Sequence, residues 1–377
     1  MQSLTAFLLA IILALAIAPT PEPQKKSLPE EKMECGTVVS PEQIKAELAR
    51  RAELARNNVA PLALAPSADA PYYLPLTIHM AHDDFDILGG LSPEDMEAAM
   101  QRLNQLFQPV GIQFFIYGEI DHSIKGDVYY FADTREKQDA LLRVNAVPNT
   151  INVYFAFLGK LDGRGTFTWD SVQGVLLSDF ALSKFGKNRL EVFAHEMGHF
   201  FNLFHTHEKA AGVECPNGSN CEDAGDLLCD TPADPDLGFP LKVDFNCVYN
   251  NSVAPPGGTC GDTPYTPSTT NLMSNSRGEC KNQFTTKQIS RMLAMLSHDN
   301  RKNLIDGWKF YVDPQASSSN TKCTSTAPCR TVEKAVQAAQ SGAVIYLKPG
   351  VHKTSSLGGK RLTLMRWGNS GVAELKP

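Results

Sequence analysis

Residues 190–205 read Leu-Glu-Val-Phe-Ala-His-Glu-Met-Gly-His-Phe-Phe-Asn-Leu-Phe-His. Just before them, Asn188 followed by Glu191 predicts a capped helix start. Leu190, Phe193, Met197 and Phe201 recur at helical spacing and form a face for a core. His195 and His199, four residues apart, project from the other face toward a common point. Glu196 lies beside them, within reach of a water on a metal that the imidazoles hold. His205 brings the set to three neutral imidazoles and leaves the fourth tetrahedral position of a zinc ion to that water. Zinc lowers the pKa of such a water from about 16 to near 7. Glu196 would then take its proton and pass it to a leaving amine. With 9 histidines in 377 residues, the spacing of the first two with Glu196 arises by chance in about one such chain in a hundred.

His205 imposes a condition. A straight helix would carry it past the metal, so the chain must break between 199 and 205. Asn202 stands at the break, and Asn is the best substitute for Gly in the left-handed conformation that ends a helix. His207 is the alternative third ligand, because spacing alone does not fix the loop.

Outward from this helix the chain reads as an α/β unit. Tyr73 to Met80 alternates as a strand. Ser92-Pro93-Glu94-Asp95 starts a helix with Met96, Met100, Leu103 and Phe107 on one side. Gly111 to Tyr117, Ile151 to Phe157 and Gly174 to Leu177 read as further strands. Ile151, Val153, Phe155 and Phe157 share a face. Residues 212–280 are irregular and rich in Gly, Pro, Asp and Cys, a composition that needs stapling or a metal. Thr285 caps a last helix to Leu296. The resulting division is 1–18 signal peptide, 19–72 pro-segment, 73–305 catalytic domain and 306–377 a short β-rich tail.

The signal peptide rests on the apolar run Leu4 to Ala18, shorter than the roughly 20 residues of a membrane span; an uncleaved anchor is the alternative. In the pro-segment, Ser40-Pro41-Glu42-Gln43 opens a helix to about Arg56 with a thin apolar stripe of Ile44, Leu48 and Leu54. The net charge of −6 and the lack of a basic run exclude nucleic acid and an anionic membrane as partners. Nine cysteines fit an oxidising compartment. Eight, from Cys215 to Cys329, can form four bridges in any of 105 ways, and Cys35 is the odd thiol. Cys323 and Cys329 can close a small loop inside the tail.

Several stretches together resemble a known family. His195 to His205 resembles the zinc signature of the metzincin endopeptidases, with Asn202 in place of the usual Gly. Asn271-Leu272-Met273-Ser274 resembles their Met-turn, with Met273 beneath the metal. Gly225-Asp226, Asp230-Thr231-Pro232, Cys280, Phe284-Thr285 with Gln288, and the start of the domain from Leu74 to Phe115 resemble the pappalysin group in particular. The resemblance covers residues 73–298. It implies a metzincin-type domain: a twisted sheet with an active-site helix, and an irregular, disulfide-bearing lower subdomain across a shallow cleft with zinc at its floor. It also implies cleavage of peptide bonds in extended protein or peptide substrates, and structural calcium. Asp226 and Asp230 are the acids to test for calcium, a solvated acidic loop being the alternative. Many relatives carry a Tyr two residues past the Met-turn methionine that assists the oxyanion. Here it is Asn275, whose amide has a shorter reach.

Related proenzymes block the open zinc position with a pro-segment cysteine, which implies that role for Cys35, followed by Gly36-Thr37. An intermolecular disulfide or an idle thiol are the alternatives. The tail resembles the opening turn of a right-handed parallel β-helix of the pectate-lyase type. It ends after roughly one rung, too short for a solenoid enzyme, and is either a truncated module or packed on the catalytic domain. The expectation is therefore a secreted, latent zinc endopeptidase with no membrane partner once the signal is removed. The rival class is a secreted surface-binding protein with a structural zinc, which would have no need of Glu196.

Overall fold

Ser40 and Gln43 exchange backbone and side-chain hydrogen bonds at 2.8 and 3.3 Å and so open α1 (Pro41–Arg56). The computed structural model describes residues 34–56, 71–85, 89–238, 242–250, 260, 263–298, 300–339, 343–353, 356–360, 362–368 and 371–376, with backbone only for 51–56. The signal peptide of the sequence reading, and residues 19–33 and 57–70 of its pro-segment, lie outside them.

The catalytic region follows as β1 (Tyr72–His82), α2 (Pro93–Phe107), β2 (Ile112–Ile116), β3 (Asp121–Lys125), α3 (Asp127–Tyr130), α4 (Arg135–Leu141), β4 (Ile151–Ala156), β5 (Gly163–Gly165), β6 (Val175–Ser178), α5 (Asp179–Leu182), α6 (Glu191–Phe200) and, after a long irregular stretch, α7 (Thr286–Met295). One sheet has the order β2-β1-β4-β6-β5, with β3 also on β1. All pairs are parallel except the edge strand β5, which runs antiparallel to β6.

Both faces of this sheet are covered. Ile151, Val153 and Phe155 of β4 meet α2 and α6 in the main core, while Tyr154 and Ala156 face a second cluster with Leu141 and Leu142. That is why β1, expected to alternate between buried and exposed, is buried from Leu74 to Ala81. Phe157 falls beyond the end of β4, is 36% exposed and packs on Tyr130 and Phe131 instead of joining the core face. Ser92 caps α2 as expected, accepting from the Asp95 N–H at 3.1 Å. Asn188 does not cap α6. It has φ +52° and its N–H donates to the Ser183 carbonyl, closing the turn after α5, and α6 begins only at Glu191.

Between α6 and α7 the chain is held by Cys215–Cys260, Cys221–Cys229 and Cys247–Cys280. Cys323–Cys329 closes the loop in the tail, and Cys35 is free.

The tail holds β7 (Lys309–Val312), α8 (Val332–Ala338), β8 (Val344–Leu347), β9 (Gly350–Lys353), β10 (Thr363–Arg366) and β11 (Ala373–Lys376). β7, β8 and β10 form one parallel sheet and β9 pairs with β11 in another. Two successive turns of a parallel coil are thus present, β8–β9 and β10–β11, against the single rung expected. The tail also packs on the catalytic region: Trp308 meets Phe115 of β2 edge-on at 4.9 Å, and Tyr117 belongs to the tail's core.

Candidate active site

Helix α6 is buried along its whole length. It ends in a left-handed residue, as the spacing demanded: Asn202 has φ +60°. Its N–H donates to the His199 carbonyl at 2.8 Å and the Leu203 N–H to the Gly198 carbonyl at 3.0 Å. This paired closure turns the chain back. Asn202 does more than a glycine could. Its side chain accepts from the Thr168 N–H at 2.9 Å and donates to the Thr168 hydroxyl at 2.7 Å. The helix end is thereby tied to the chain leaving β5. Arg301, buried, donates to the Phe200 carbonyl and so places a cation at the helix C-terminus.

The turn delivers His205. The Nε2 atoms of His195, His199 and His205 lie 3.1–3.3 Å from one another. Three ligands at 2.0–2.1 Å around a tetrahedral ion would be separated by about 3.3 Å. His195 Nδ1 lies 2.7 Å from the Leu272 carbonyl and His199 Nδ1 lies 2.8 Å from the Leu203 carbonyl. Carbonyls only accept, so both Nδ1 atoms carry hydrogen and both Nε2 lone pairs face inward. Burial pushes all three histidines down, His199 to about 3, so the imidazoles are neutral. The donor set fits a zinc ion. His207 is not part of it; it stacks on His205 at 4.9 Å.

Met273 runs beneath. A Cβ on Gly198 would meet its sulfur at 2.5 Å, so glycine is required there. Asn271 holds the turn by accepting from the Met273 N–H at 2.8 Å, and the Thr206 N–H donates to the Met273 carbonyl at 3.1 Å.

Glu196 is fully buried, and burial raises its carboxyl to about 8. Oε2 accepts from the Gly165 N–H at 2.7 Å; Oε1 is buried with no partner among the described residues. β5 lies so close to α6 that a Cβ on Gly163 would sit 2.5 Å from Glu196 Cγ, and one on Gly165 2.2 Å from the Glu196 carbonyl oxygen. Arg164, between them, points away to Asp139 at 2.7 Å. The sequence reading missed this strand; the two glycines flanking one residue are its signal.

The N-terminal segment lies along β5. The Asp162 N–H donates to the Glu34 carbonyl and the Gly36 N–H to the Gly163 carbonyl, both at 2.8 Å, in a parallel pairing. This brings the Cys35 sulfur to the histidines: the four ligand atoms lie within 4.8 Å of one another. The sulfur is also 3.5 Å from Glu196 Oε2 and accepts from the Thr37 N–H at 3.3 Å. The Thr37 hydroxyl donates to the Gly165 carbonyl at 3.0 Å and lies 3.3 Å from Glu196 Oε2.

The remaining sequence candidates lie elsewhere or are engaged. Asp226 is buried and accepts from the Leu228 N–H and the Thr231 hydroxyl. Asp230 accepts from the Thr285 hydroxyl and the Lys287 N–H, anchoring the start of α7. Among the described residues, the only group of three or more candidate ligands that converges is the one with Cys35. Asn275, the residue considered for oxyanion assistance, donates from its amide nitrogen to Asp236 at 3.0 Å, and the same nitrogen lies 3.1 Å from His207 Nε2.

The chain matches the family model described as pregnancy-associated plasma protein-A over residues 170–297. It is 30% identical to an extracellular metalloprotease of Colletotrichum graminicola over 295 residues, 75% of this chain and 94% of that relative. An extracellular metalloprotease of Pyricularia oryzae is 25% identical over 226 residues, 55% of this chain and 69% of its own. Among solved structures, a Tannerella forsythia promirolysin mutant aligns with 72% of this chain and 97% of its own, at 17% identity and a TM-score of 0.48. The chain belongs to the pregnancy-associated plasma protein-A, or pappalysin, family of metalloendopeptidases.

Proposed function

We propose that the protein is an extracellular zinc endopeptidase made in a latent form, with zinc on His195, His199 and His205, Glu196 as general base, and Cys35 as a temporary fourth ligand. The observation that carries this reading is the convergence of three Nε2 lone pairs at tetrahedral spacing, with one carboxylate beside them and one thiol on the open side. The relatives named above are extracellular, and four disulfides require an oxidising compartment. The protein acts outside the cell.

Zinc supplies Lewis acidity, making water a nucleophile near neutral pH and drawing charge from a peptide carbonyl. The protein supplies the rest. The Gly165 N–H fixes Oε2 of Glu196, the oxygen 3.5 Å from the Cys35 sulfur and so beside the position that water needs. Burial keeps that carboxyl basic enough to take a proton from water and acidic enough to return it to the leaving amine. The free edge of β5 offers backbone groups to an extended substrate, the protein or peptide that is cleaved.

Latency follows from the same edge. Residues 34–37 occupy it, the Thr37 hydroxyl lies against Glu196, and the Cys35 sulfur takes the position that water needs. Burial and the nearby Glu196 push the thiol well above its ordinary value; a divalent cation beside it is what holds it as thiolate.

The test is hydrolysis of a quenched peptide by the processed protein. Activity lost to a chelator and restored by zinc supports the reading. Glu196→Gln should retain one zinc per chain and lose activity by about 10²–10⁴-fold. Full activity in that variant would remove Glu196 from the role of general base, and hydrolysis indifferent to the chelator would return the metal site to a structural role.

A further inference from the structure

An apolar cluster adjoins the metal site on the side toward which the N-terminal segment runs. Phe167, Phe204 and Leu227 form it, and Trp169 packs against them, stacked on Phe167 at 4.6 Å. The Phe167 ring lies edge-on to His199 at 5.7 Å. The side chains that complete this cluster come from the N-terminal segment: Val39 and Ile44, both buried, with Leu48 beside them.

We infer that this cluster is a substrate subsite that takes a large apolar side chain upstream of the scissile bond. The inference rests on the latent-protease reading, in which residues 34–56 leave. Their departure uncovers an aromatic-walled hollow next to a zinc ligand, at the end of the edge that a substrate pairs with.

Two observations point the same way. Leu227 is held at φ +62°, a conformation that bulky residues rarely adopt. It is fixed there by Arg291, which donates to the Leu227 carbonyl at 3.0 Å and to the Asp226 carbonyl at 2.9 Å. Strain at a site wall is a mark of function more than of packing. The Trp169 indole N–H is buried without an acceptor among the described residues, and a bound peptide's carbonyl can satisfy it.

Direction decides which side of the scissile bond is read. The N-terminal segment runs parallel to β5. A substrate paired antiparallel, the more stable arrangement, reaches Phe167 and Trp169 with the residues preceding its scissile bond. The reach is within about four residues, the step from Cys35 to Val39 along an extended chain.

The experiment is cleavage profiling of the processed protein on a peptide library, with a glycine-substituted reference peptide for basal turnover. Wild type should favour Leu, Ile or Phe over Gly upstream of the cut by about 10–200-fold in kcat/KM. Trp169→Ala should lose most of that preference, read as the ratio of kcat/KM on the apolar and glycine peptides, and Trp169→Phe should retain it. Ala211→Phe, which fills the hollow, should lose it too and guards against misfolding of the first variant. Unchanged preference in Trp169→Ala and Ala211→Phe, or a preference confined to the downstream side, overturns the inference and leaves the protease reading intact. Absence of any zinc-dependent cleavage by the wild type overturns that reading instead.

Discussion

Replacing Asn202 separates two contributions that coincide at one residue. Asn202 sits at φ +60° and also makes two hydrogen bonds to Thr168. In Asn202→Gly the left-handed backbone costs nothing, but the buried Thr168 N–H loses its acceptor, a penalty of about 1–3 kcal/mol. In Asn202→Ala the same bonds go and the left-handed conformation adds roughly 1–2 kcal/mol. Destabilisation should thus reach about 2–5 kcal/mol for Ala against about 1–3 kcal/mol for Gly. The assay is urea unfolding of the latent chain, with zinc affinity measured by chelator competition, since His205 depends on the same turn. Equal stability of the Ala and Gly variants would refute the requirement for a left-handed residue. Equal stability of Gly and wild type would refute the tie to Thr168.

Three further outcomes are expected. Unprocessed Cys35→Ala should cleave a quenched peptide at least about tenfold faster than unprocessed wild type, equivalent to about 1.4 kcal/mol of lost inhibition; full latency in the variant sinks the thiol's role. Burial raises the Asp226 carboxyl to about 7. The folded state therefore holds this proton more tightly than the unfolded chain, and stability falls as pH rises from about 4 to about 7. Asp226→Asn should flatten that decline in urea midpoints, and an unchanged slope would place its origin elsewhere. Cys215 and Cys260 are 45 residues apart, and replacing both with Ser should cost about 4 kcal/mol on chain-entropy grounds, read as a lower urea midpoint and faster proteolytic nicking between residues 212 and 260.

Helix α6 was legible because the metal chemistry proposed for it fixes its spacing. Two imidazoles must share a face, a carboxylate must sit beside them, and the chain must reverse before the third imidazole. Asn202 met that last demand with a residue type that reaches the left-handed region. The parity of the cysteines singled out Cys35 by similar necessity. β5 was not legible, because Gly163-Arg164-Gly165 has no apolar alternation and no β-branched residue. It is a strand only because Glu196 and His199 leave room for nothing but glycine backbone. Asn188 shows a different limit: the residue types that cap helices also make tight turns, and here the turn takes it. The acids of the 222–236 stretch illustrate a third. Whether a carboxylate meets an ion or a hydroxyl depends on partners such as Thr285, which lies 55 residues from Asp230.

The shortness of β5 bears on what activation does to solubility. On the proposed latent-protease reading, loss of the N-terminal segment would leave the sheet a bare edge, the feature through which other proteins stack into aggregates. This edge spans only Gly163–Gly165, and its middle side chain, Arg164, is buried against Asp139. So brief a ladder would suffice for one extended peptide and would offer a second sheet too little to hold, so on that reading the exposed edge should not template precipitation.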